Sequence, residues 1–261
     1  MHWEMMMMMK KRLSGSLGLM LAGVCAMPLA AEDSPHQFSA NVALTTDYRF
    51  RGISQTTEDP ALQGGFDYSY TPFGFYAGVW ASNLDFGEDT TLVKDTADLE
   101  IDYYAGFSGE FAVGNGLGWD VGALYYSYPG SDTGMLGADY DYWEVYGSLS
   151  YDFGKAAVSA GFAYSPDYFF ESGDSVYYYG EVEVPLPHDF ALAGHVGHQE
   201  IDDNAQFGTP DYTDWKIGIS RSIGHFTFDV SYVDTDLSNG ECFGGTDFCD
   251  ATAIFTVSSS W

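Results

Sequence analysis

The residues with chemistry to offer in this chain are mostly carboxylates. Asp67, Glu100, Asp102, Asp120, Glu144, Glu181, Glu183 and Asp229 fall at alternate positions of apolar and aromatic runs, as do Asn41, Asp47, Arg49, His195 and Lys216. Alternate residues of a strand share a face, so this polar set lies opposite the apolar one. Acids outnumber bases in it, and rings of carboxylates lining a pore favour cations over anions. Arg49 and Lys216 are candidates for pairing with those acids, because buried charges are rarely left alone.

Other patterns carry less chemistry. His195 and His198 resemble a metal pair, but a spacing of three on a strand puts them on opposite faces. Gly114, Gly116 and Gly118 have no helix after them, so they make a turn and not a phosphate cradle. Serines are plentiful, yet there is no nucleophile elbow, and no spacing pairs a serine with His195. A lipid-acting barrel enzyme is therefore the weakest reading, and neither catalytic residues nor a cofactor is expected. The acidic loops lack a calcium-loop spacing and read as a solvated surface. Cys242 and Cys249 flank a Gly-rich segment, and in an exported protein such a pair reads as a disulfide. Two thiols with no matched His or Cys pair make a poor metal site.

The elements that would position these groups follow a rhythm. Period-2 alternation marks about twelve strands, near 38–48, 61–70, 75–84, 97–108, 117–126, 141–152, 156–164, 175–184, 190–199, 214–222, 226–234 and 251–261. The connections alternate between long polar loops and turns of a few residues, such as Thr71-Pro-Phe-Gly74 and Gly154-Lys155. A soluble sandwich has no reason to keep that parity. A transmembrane up-and-down antiparallel β-barrel has one: short turns on the periplasmic side and long loops outside. A lipid-facing charge would cost roughly 2–4 kcal/mol near the midplane, and the apolar faces carry essentially none. Phe38, Tyr48, Tyr68, Tyr70, Phe75, Trp143, Tyr151, Tyr164 and Trp215 stand near strand ends and are expected in the interfacial girdles. Inward Tyr104, Tyr126, Tyr146, Tyr177 and Tyr179 would narrow the lumen, since twelve strands lie between the filled eight-stranded barrel and the open sixteen-stranded one.

The N-terminus reads as a signal peptide over residues 1–31, with basic Lys10, Lys11 and Arg12, an apolar Leu13–Ala26 stretch and small residues at Leu29-Ala-Ala31. Cys25 lies inside it, and Val24 before it is wrong for a lipoprotein signal. The barrel domain is then 32–261. Of the 9 basic and 38 acidic residues in the full chain, the leader takes Lys10, Lys11, Arg12 and Glu4, leaving 6 against 37, a net charge of −31. Such acidity excludes nucleic acid as a partner. With no helical span in the remainder, membrane insertion requires a closed barrel.

Particular segments resemble a family. Asn41 to Gln55, Pro60 to Gly65, Phe75 to Asn83 and Glu100 to Gly106 are similar to the TorF-type porin-like proteins of proteobacteria, with Asp47-Tyr-Arg-Phe-Arg-Gly52 as the hallmark. The resemblance implies an outer-membrane barrel of unsettled substrate. Asp47 and Arg49 then have two roles open to them, a constriction or an ion pair that fixes the first loop, and the second is the simpler. The C-terminal Phe255 to Trp261 resembles the signal read by the barrel-assembly machinery. The expectation is an outer-membrane channel for small hydrophilic solutes or cations, embedded in outer-membrane lipid. The alternative is a non-conducting barrel acting through its loops as an adhesin, receptor or structural component.

Overall fold

The computed structural model describes residues 34–86, 97–112, 116–131 and 139–261. The proposed leader and its Cys25, Gly114, and the acidic loop residues Glu88 and Asp89 lie outside them. In chain order the strands are β1 (His36–Thr45), β2 (Arg49–Phe50), β3 (Ile53–Ser54), β4 (Ala61–Tyr70), β5 (Phe75–Asn83), β6 (Leu99–Glu110) and β7 (Leu117–Ser127). They continue as β8 (Tyr142–Asp152), β9 (Ala157–Ser165), β10 (Ser175–Leu186), β11 (Phe190–Ile201), β12 (Tyr212–Ile223), β13 (Phe226–Thr235) and β14 (Thr252–Ser260). β2 and β3 pair only with each other. The other twelve form a closed antiparallel barrel in which sequence neighbours pair and β1 seals the wall against β14. Among the described residues no helix is long and apolar enough to cross a membrane.

Alternation sets the register. Leu44, Leu62, Phe66, Leu149, Val196 and Ile217 point outward and are exposed, while Gln63, Glu100, Asp120, Glu144 and Gln199 point inward and are buried. A slip of one residue would exchange those faces, so the apolar outer surface fixes the pairing. The intervals between wall strands keep the expected parity of length: 71–74, 111–116, 153–156, 187–189 and 224–225 are short, and 46–60, 84–98, 128–141, 166–174, 202–211 and 236–251 are longer.

The inner wall alternates tyrosine with glycine. A Cβ on Gly78, Gly106, Gly122, Gly161 or Gly197 would lie within 2.6 Å of the ring or hydroxyl of Tyr104, Tyr76, Tyr146, Tyr179 or Tyr177 respectively. Each ring thus lies flat over a glycine of the next strand, the arrangement by which aromatics cover strand glycines. These rings fill much of a lumen that twelve strands alone would leave wide.

The first strand departs from expectation. It ends at Thr45, and residues 46–60 leave the wall and turn into the barrel. Tyr48 is consequently buried and packs edge-on against Trp80 at 5.4 Å, not in an interfacial girdle. The physical reason is local: alternation assigns faces only while the chain stays extended in the wall.

Candidate functional site

The lumen has two halves of different construction. In the half nearer the short turns, tyrosines bond the carboxylates. The Tyr76 hydroxyl donates to Asp120 at 2.7 Å and lies 2.6 Å from the hydroxyl of Tyr146. Tyr104 donates to Asp67. Across the barrel, His195 bridges the two halves, with Nδ1 3.2 Å from Glu181 and Nε2 3.2 Å from Asp214, which stands two residues from the long-loop end of β12. Tyr177 donates to Asp214 at 2.9 Å, and Ser159 donates to Glu181 at 2.8 Å. The serine therefore bonds the acid and not the imidazole, so this group lacks the Ser–His contact of a hydrolase.

The half nearer the long loops is closed by the first loop. Its hairpin, β2–β3, brings Arg51 into the lumen, where the guanidinium meets both oxygens of Glu144 at 2.8 Å and Gln199 Oε1 at 2.7 Å. The same group stacks over Tyr177 at 4.3 Å and Phe50 at 4.7 Å. Burial opposes the charge on Arg51, but the Glu144 carboxylate together with Tyr168, Tyr126 and Tyr142 outweighs it and holds the guanidinium pKa above its ordinary value. A forked, bidentate contact of this kind is what arginine geometry provides. Gly52 follows at φ +83°, and a Cβ there would lie 2.5 Å from Thr235 Cγ2 and 2.9 Å from Asp214 Cβ. Only glycine lets the hairpin tip sit this close to the wall.

The hairpin is held from behind. Arg49 bonds Asp47, donates to Glu58 at 3.0 Å, and reaches the carbonyls of Phe248 and Asp250 in the last loop. Asp47 also accepts from Ser54 at 2.7 Å, and the Ser54 amide donates to the Phe248 carbonyl at 2.9 Å. Cys242 and Cys249 are disulfide-bonded and buried, closing the loop that carries Phe248. First and last loops are thereby one unit. Around the hairpin, Tyr126, Glu144, Gln199 and Tyr212 are each no more than 1% exposed, so solvent is excluded at this level.

The family model matched by residues 29–261 is Gcw_chp, described as a bacterial protein of unknown function. The chain belongs to the Gcw_chp family. The match gives this description and not a TorF-type name. No curated protein matches the sequence. Among solved structures, this Gcw_chp chain is similar to the NanC porin with TM-score 0.53 and 14% identity, over 85% of this chain and 98% of that one. It is similar to the KdgM porin, solved in complex with disordered oligogalacturonate, with TM-score 0.52 and 7% identity over the same shares. At these identities the likeness is one of fold.

The Gcw_chp barrel distributes the anticipated residues unevenly. Asp67, Glu100, Asp102, Asp120, Glu144, Glu181 and His195 point inward within the wall, whereas Asp47 and Arg49 belong to the inserted loop. Lys216 is half-buried beside His195 in the register, Asp229 accepts from Ser231, and Glu183 is exposed at the short-turn mouth. Asn41 is half-buried on the inner face. His198 points away from His195 and bonds Thr213 at 2.9 Å. Sequence reasoning missed Arg51 and Asp214. Arg51 had a signal: it is one of two arginines flanking Phe50 just before a glycine, in a chain whose lumen is short of positive charge.

Proposed function

We propose that this protein is an outer-membrane channel of porin architecture for small hydrophilic solutes, with a preference for cations, held shut at its long-loop end by the first loop. The observation that carries the reading is the inserted Arg51: a loop folded into a barrel and fastened by one ion pair is built to occupy a pathway. The inward acids support the selectivity, since among the described residues Asp67, Asp120, Glu181 and Asp229, on the side nearer the short turns, face only Lys216 and His195. The apolar outer belt fits a lipid environment, with the long loops extracellular and both chain ends periplasmic. Cleavage of residues 1–31 and recognition of Phe255–Trp261 by the barrel-assembly machinery belong to the same proposal.

A second reading has one observation in its favour. The long-loop half is packed like a protein core, which suits a non-conducting barrel that acts through its outer loops. Planar bilayers with a salt gradient separate the two. Discrete steps that reverse on the cation side, in the native protein or in Arg51→Ala, support the channel. Silence from both proteins, correctly folded, would remove it and leave the loops as the working part.

A further inference from the structure

Every other buried carboxylate described above has a partner, whereas Glu100 and Asp102 are nearly bare. They stand two residues apart on β6 and so share the inner face. Asp102 is fully buried and Glu100 is 2% exposed. Both oxygens of Asp102 and Oε2 of Glu100 have no hydrogen-bond partner. Glu100 Oε1 has a long contact of 3.4 Å from the Tyr128 hydroxyl. Arg51 cannot compensate, because its fork is already spent on Glu144 and Gln199. Two buried like charges without a counter-charge are strongly unfavourable.

A second group points to the same place. The hydroxyl of Tyr48, in a side chain only 6% exposed, also makes no well-formed hydrogen bond, although it lies beside Glu100. It stands close enough to Glu100 and Asp102 to feel both charges; burial first, and then those charges, push its phenol pKa upward, so it is neutral. Four oxygen atoms from three side chains, two of them carboxyl groups, therefore lie together without well-formed hydrogen bonds. Among the described residues no set of three or more His, Cys, Asp or Glu side chains converges, which argues against a transition-metal centre. Oxygen donors alone suit a hard cation.

We infer that Glu100, Asp102 and Tyr48 hold a divalent, oxygen-preferring cation of the calcium class in the closed half of the lumen. A dication neutralises the two carboxylates, and water completes its shell. Because Tyr48 belongs to the first loop and the acids to β6, the ion ties the inserted loop to the wall. The inference goes beyond the channel reading and does not depend on current flowing.

The test uses the whole mature protein refolded in detergent and stripped with EDTA. Terbium is the probe, since Trp80 is the cross-strand neighbour of Asp102 and can sensitise its emission. The expected result is one saturable terbium site displaced by calcium, and calcium should raise the melting temperature. Changes in the outer shell alone weaken metal sites about 10–100-fold, so E100Q/D102N should lose on the order of tenfold or more. Unchanged emission in that variant would place the binding on the acidic loops and overturn the inference. Should the double variant not fold, the native protein decides by itself: identical melting in EDTA and in calcium means that protons neutralise the pair and no ion is held.

Discussion

The two halves of the lumen answer the same problem, acids inside a closed barrel, with different means. Near the short turns, each acid is met by a hydroxyl or by His195 from the wall itself, no more than two strands away, so the partners arrive with the barrel. Near the long loops, Glu144 is met by Arg51, which arrives from outside the wall on a hairpin. The first half is fixed as soon as the barrel closes. The second depends on a separate folding event, the insertion of residues 46–60, and a separately inserted part can also be withdrawn. That difference is the physical basis for reading the first loop as a plug.

Removing the arginine should break the comparison most. In Arg51→Ala, Glu144 keeps its burial and loses its counter-charge, a situation that costs about 3–5 kcal/mol in buried pairs. Urea unfolding in detergent should register a loss of that order, or a smaller one accompanied by release of the hairpin. Pairing the change with Glu144→Gln should recover much of the loss, because the stranded charge is then gone. A single variant as stable as the native protein would mean that the ion pair does not hold the loop.

Opening the disulfide tests the support behind the plug. The loop between Cys242 and Cys249 is short, so chain-entropy arguments give about 2 kcal/mol for Cys242→Ser with Cys249→Ser. The expected signature is selective: faster hydrogen exchange at Ser54, whose amide is bonded to the Phe248 carbonyl, with the exchange of β10 and β11 unchanged. Gly52→Val attacks the tip, where the left-handed backbone and the contact with Thr235 both resist a side chain. Overpacking of this kind costs about 1–3 kcal/mol, and proteolysis of the first loop should quicken while the wall stays resistant. The smallest effect is expected on the other side, in Tyr76→Phe. Asp120 then loses its bonded hydroxyl, for about 1–2 kcal/mol, with no change in hairpin protection. Equal loosening of both halves by this variant would show that they are not independent.

The wall was legible in the sequence because period-2 alternation and loop parity are local signals, and strand 61–70 was read to its ends. The inner face followed from the same alternation, which put Glu100, Asp102, Asp120, Glu144 and Glu181 on one side. The plug was not legible, because Tyr48, Arg49 and Arg51 sit where the chain leaves the wall and alternation stops assigning faces. Alternation alone therefore carries strand 1 on to residue 48, three residues past its end at Thr45. Asp214 escapes for a simpler reason: alternation places it at the very start of its strand, where no preceding residue fixes its face. The partners of Arg51 lie 93 and 148 residues away in sequence, on β8 and β11, and no local pattern links them.

The most direct measurement is the single-channel step size of the native protein against Arg51→Ala in the same bilayer and salt. Small or absent steps are expected for the native protein, and larger, cation-selective steps once the arginine is gone. Equal currents from the two proteins, whether large or nil, would contradict the claim that the first loop closes this barrel.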